Sequence, residues 1–92
     1  MIIKEVIWLR QFADKIERKH NVSQDEVEQL FLNRPVFEFA KLGDVPNEDL
    51  YRAIGQTDAG RYLIVFFIYK HQGRALVISA RVATKGERKH YG

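Results

Sequence analysis

Apolar and polar positions follow two rhythms along this chain, and the change between them divides it. Between residues 10 and 20, Phe12, Ala13 and Ile16 recur at helical spacing while Asp14, Lys15, Glu17 and Arg18 take the other positions, which predicts an amphipathic helix. Val27, Leu30 and Phe31 form the apolar stripe of a second helix, which Pro35 ends a residue or two before itself. Beyond Pro35 the period is two: Val36, Glu38 and Ala40 alternate with Phe37, Phe39 and Lys41, the pattern of a half-buried strand. Residues 51–57, 61–70 and 74–82 read as three more strands, set off by a loop at 43–47 and turns at 58–60 and 71–73. The stretch 61–70 is apolar on both faces and belongs at the centre of a sheet. Simple alternation in 74–82 puts Leu76, Ile78 and Ala80 on one face and Val77, Ser79 and Arg81 on the other. Ile2, Ile3, Val6, Ile7 and Trp8 suggest a short opening strand.

Capping signals sharpen the helix boundaries. Ser23-Gln24-Asp25-Glu26 and Thr84-Lys85-Gly86-Glu87 are both capping boxes, in which the hydroxyl accepts an amide hydrogen of the first turn and the glutamate reaches back to the cap amide. The second box opens a short basic helix carrying Arg88, Lys89, His90 and Tyr91. Asn21 is placed to end the first helix in the left-handed conformation. Strands joined by hairpins beside segregated helices make the expected class α+β, with a helical hairpin packed on a four-stranded antiparallel sheet and a short C-terminal helix.

Composition narrows the function classes. Ninety-two residues, 46% of them hydrophobic, suit one domain with one core. There is no cysteine, which excludes disulfides, thiolate nucleophiles and cysteine-ligated zinc and suits a reducing cytoplasm. The apolar run at 62–69 is far shorter than a membrane span, and the N-terminal residues do not resemble a signal peptide. A net charge of +3 conceals an asymmetry: residues 1–60 hold eight Lys/Arg against eleven Asp/Glu, whereas residues 61–92 hold seven Lys/Arg against Glu87 alone. Such a basic segment suits a polyanion, RNA above all, although a solvated charged face has the same signature.

Among the cations, Arg81 stands out because it ends a strand directly before a capped helix. Its guanidinium there either clamps a phosphate in bidentate fashion or pairs with a carboxylate. Lys85, Arg88 and Lys89 lie on or near the last helix, and Arg52 and Arg61 flank the turn at 58–60. Lys19 and His20 end the first helix; His20 is either a proton-transfer group or an ordinary C-terminal helix cation. Three histidines at 20, 71 and 90 have no metal-ligand spacing, so no metal or other cofactor is expected. A helix-turn-helix reading of residues 10–33 is disfavoured, since Asp25, Glu26 and Glu28 would repel DNA phosphates.

Trp8, the block Arg18-Lys19-His20-Asn21-Val22-Ser23, Arg52-Ala53-Ile54-Gly55, Gly60-Arg61-Tyr62-Leu63 and the closing run from Ile78 to Tyr91 together resemble the BrnT family of toxins. The most specific part is Ile78-Ser79-Ala80-Arg81 with Ala83-Thr84, Glu87-Arg88 and Tyr91. The resemblance implies a RelE-like fold, metal-independent RNA cleavage and a BrnA-like ribbon-helix-helix antitoxin as partner in a hetero-oligomer. It implies catalytic roles for Arg81, Arg61, Lys19 and His20, and RNA binding by Arg52, Lys85, Arg88 and Tyr91. The chain departs from the family pattern at Leu9, where an acid is usual, and at Asn21, where glycine is usual. A domain that binds RNA or a protein without cleaving is the alternative those departures leave open.

Overall fold

The computed structural model describes residues 1–92. In chain order the elements are β1 (Glu5–Ile7), α1 (Arg10–His20), α2 (Gln24–Leu32), β2 (Val36–Lys41), β3 (Leu50–Gln56), β4 (Tyr62–Lys70), β5 (Arg74–Val82) and α3 (Lys85–Tyr91). The sheet has five strands in the order β1-β5-β4-β3-β2, with β4 at its centre as the two-sided apolar run requires. Four strands are antiparallel neighbours, as expected. The fifth, β1, corrects the expected four-stranded antiparallel sheet: it pairs in parallel with β5, Glu5 to Ile7 lying opposite Arg74 to Leu76. A parallel neighbour needs a long crossover, so no local turn signal announces it.

The two long helices are less of a hairpin than their sequence suggests. Helix α1 packs on β5 and α2 on β3 and β4, each seated chiefly on the sheet rather than on the other. Ile16, Val22, Val27 and Leu30 meet Ala53, Leu63, Val65, Phe67, Ala75, Val77 and Ala80 in the main core. Burying side chains of this size stabilises by roughly 1.5–3 kcal/mol each, so this layer carries most of the fold. Gly55 permits the close seat of α2 on β3, since a Cβ there would lie 3.1 Å from the Pro35 Cβ and 3.3 Å from the Leu30 Cγ.

Alternation in β5 also needs correction. The register with β4 shifts between Phe66 and Phe67, which face Ser79 and Val77, so Ile78 is a bulge. Val77 and Ala80 therefore share the buried face with Ala75, instead of lying on opposite faces. Arg81 is left on the opposite side of the sheet, the side covered by α3. There a smaller cluster of Ile54, Ile64 and Ala83 is joined by Tyr62, Phe66 and Tyr91. No helix is long and apolar enough to cross a membrane.

Candidate nucleic-acid site

The face under α3 gathers a cationic surface from two strands and a helix. Arg52 on β3 stands opposite Phe66 on β4, and Arg81 on β5 stands opposite Ile64, two residues earlier on β4. The two arginines are thus diagonal neighbours across the central strand. The Arg81 guanidinium lies 5.8 Å from the Phe66 ring centroid, within cation–π range.

Each arginine is fixed by a carboxylate. Arg81 donates from both terminal nitrogens to Glu87, Nη1 to Oε1 and Nη2 to Oε2, each at 2.8 Å. Glu87 is at the same time the glutamate of the α3 capping box, accepting from the Thr84 amide at 2.8 Å while the Thr84 hydroxyl accepts from the Glu87 amide. The Arg81 hydrogen bonds, outweighing burial and helped by Thr84, hold the Glu87 carboxyl at about 2. The same pair raises Arg81 above the ordinary arginine range. Of the two readings the sequence left open for Arg81, the structure contains the carboxylate pair, and it leaves Nε without a partner.

Arg52 donates from Nε to Glu38 Oε1 at 2.7 Å, and Glu38 Oε2 lies 2.8 Å from His90 Nδ1 on α3. The His90 hydrogen bond, against the opposing effect of burial and reinforced by Arg52, holds Glu38 below the usual carboxylate range. Arg88 stacks its guanidinium 4.0 Å from the Tyr62 ring centroid, and Tyr91 meets Tyr62 edge to face at 6.1 Å. Tyr62, Lys85, Arg88 and Lys89 line a shallow groove at this end of the sheet.

Arg61, Lys19 and His20 lie elsewhere. The Arg61 guanidinium turns into the opposite layer, donating to the Asn21 carbonyl at 2.8 Å and to both carboxylate oxygens of Glu26 at 3.0 Å. Burial pushes Glu26 up, but hydrogen bonds from the Ser23 amide and Arg61 leave it below its ordinary value. Lys19 and His20, exposed at the end of α1 beside Asn21, make no side-chain hydrogen bond. The structure therefore brings Arg52, Arg81, Lys85, Arg88 and Tyr91 to the α3 side and keeps Arg61, Lys19 and His20 with α1 and α2. Lys70 and Arg74 lie at the far end of the sheet, so the basic segment is not one patch. Sequence reasoning passed over Glu38 and His90; only the spacing of Glu38 and Arg52 on facing strands hinted at that group.

Both departures from the family pattern have structural readings. Asn21 takes the left-handed conformation, φ 54° and ψ 42°, that glycine would otherwise supply. Leu9 is the N-cap of α1 and offers its first turn no side-chain acceptor, so an acid at that position would serve as a helix cap.

The profile of a protein family described as the ribonuclease toxin BrnT of type II toxin–antitoxin systems matches residues 8–87. The fold is similar to the crystal structure of the Brucella abortus ribonuclease toxin BrnT, with a TM-score of 0.66 and 21% sequence identity, over 88% of this chain and 97% of that one. No curated protein matches the chain by sequence.

Proposed function

Because the chain belongs to the BrnT family of ribonuclease toxins from type II toxin–antitoxin systems, we propose that it cleaves RNA without a metal ion and so arrests translation and growth. The observation that carries this reading is the pair Arg52 and Arg81, fixed by Glu38 and Glu87 on one face of the sheet. A ribose 2′-hydroxyl attacking its own phosphate builds negative charge on the phosphoryl oxygens, and preorganised guanidinium groups stabilise that charge without having to reorient. Arginine has five donors, so a phosphate can share each guanidinium with its carboxylate. Arg88, Tyr62 and Tyr91 offer aromatic and cationic surfaces on which a neighbouring base can stack, and Lys85 meets a flanking phosphate. Arg61, paired with Glu26, and the exposed Lys19 and His20 lie with α1 and α2 and form no part of this face.

The partner is an antitoxin, proposed to be a BrnA-like ribbon-helix-helix protein that binds this domain in a hetero-oligomer in the cytoplasm. Incubating the protein with end-labelled RNA in excess EDTA, beside Arg81→Ala, tests the catalytic reading. The expected result is cleavage that survives chelation, leaves 2′,3′-cyclic phosphate ends and falls about 100-fold or more in the variant. An unchanged rate in Arg81→Ala would remove Arg81 from the site, and RNA binding without cleavage by the folded wild type would favour a non-catalytic domain.

A further inference from the structure

We infer that His90 is the residue that takes the proton from the attacking 2′-hydroxyl, with Glu38 as the positioning residue that sets its tautomer and orientation. The inference rests on the ribonuclease reading and supplies the proton acceptor that a metal-free cleavage requires. His90 lies beyond the residues that match the family profile, so the assignment comes from this chain's own geometry.

Glu38 faces His90 Nδ1 at 2.8 Å, and an ionised carboxylate can only accept hydrogen bonds. Nδ1 therefore carries a hydrogen, and in the neutral imidazole Nε2 presents its lone pair. Nε2 has no partner in the structure, and the side chain is 49% exposed, so a substrate can reach it. A carboxylate behind an imidazole, with the outer nitrogen open, is the arrangement that fixes the tautomer of a general base. His20, the other candidate, has no group that would orient its ring.

The neighbours suit the step. Arg52 shares Glu38 with His90, so the imidazole stands beside one of the two guanidinium groups that would receive the phosphate, with Arg81 diagonally across β4 from Arg52. As the 2′-oxygen bonds to phosphorus, His90 Nε2 takes its proton; the bond from phosphorus to the 5′-oxygen breaks, and that oxygen leaves with a proton from water. The products are a 2′,3′-cyclic phosphate and a 5′-hydroxyl, and His90 returns its proton to solvent.

The test is steady-state cleavage of a short RNA by the wild type, His90→Ala, Glu38→Gln and, as a control, His71→Ala, each checked by thermal unfolding. For His90→Ala the expectation is a kcat lowered about 100-fold or more with KM little changed, and partial recovery on adding imidazole. Glu38→Gln should lower kcat by a smaller factor, and His71→Ala should match the wild type. Two results would overturn the inference while leaving the ribonuclease reading intact: an unimpaired His90→Ala, or an impaired one that imidazole does not rescue and that melts early, which would make His90 only a tether for α3. An inactive but folded wild type would bring down the ribonuclease reading itself, and the His90 assignment with it.

Discussion

The two capping boxes use one local device with different consequences. In each, a glutamate closes the first turn of a helix and grips an arginine from the sheet, Glu26 holding Arg61 and Glu87 holding Arg81. The α2 box opens a helix whose Val27 and Leu30 are fully buried, and its arginine also reaches the Asn21 carbonyl, tying β4 to both long helices. The α3 box opens a helix that buries no residue fully and is held by side-chain contacts at its rim: Arg88 and Tyr91 on Tyr62, and His90 on Glu38. The first box therefore reinforces the core. The second sets cationic and titratable groups at a surface, where a ligand can reach them.

The largest effect that tests this contrast is in the core. Leu30→Ala should lower unfolding free energy by about 2–5 kcal/mol in urea titrations, whereas Tyr91→Ala should cost less than about 1.5 kcal/mol. Equal costs would mean that α3 is as much a part of the core as α2.

Next come the glutamates. Glu26→Gln and Glu87→Gln should each lower global stability by about 1–2 kcal/mol at neutral pH, and Glu87→Gln should in addition show as faster amide exchange in α3. Both carboxyls sit lower when folded than when unfolded, so their contributions are complete above the ordinary value of 4.5 and fade as the pH falls. For Glu87 the difference between variant and wild type should vanish between 4.5 and about 2. A difference that grew on acidification would contradict the ion-pair origin.

The smallest test gives α1 the cap it lacks. Leu9→Asp should stabilise by about 0.5–1 kcal/mol through an acceptor for the first-turn amides, with RNA cleavage unchanged. A gain in cleavage rate instead would show that position 9 serves the chemistry rather than the helix.

Local rules carried the reading of most elements. The helix from Arg10 to His20, the strand from Arg74 to Val82 and both capping boxes lie where residue spacing puts them, because each is decided by neighbours within a turn or a pleat. What escaped depended on distant partners. β1 pairs with a strand at the other end of the chain, the Ile78 bulge reflects register with β4, and His90 gains its role from a glutamate 52 residues away. Arg61, directly before β4, and Arg81, near the end of β5, point into opposite layers, and which layer each enters depends on strand register that sequence cannot fix.

The parallel pairing of β1 with β5 also sets an order in time. Synthesis makes residues 5–7 before the strand they join, at residues 74–76, so the first strand waits unpaired while the elements between them emerge. Ends that must meet across such a separation raise the contact order and slow folding. His90 is made later still. The sheet edge and the proposed base therefore both wait on residues made after the two long helices and the first hairpin, which separates the making of the early elements from the moment at which the domain can act on RNA.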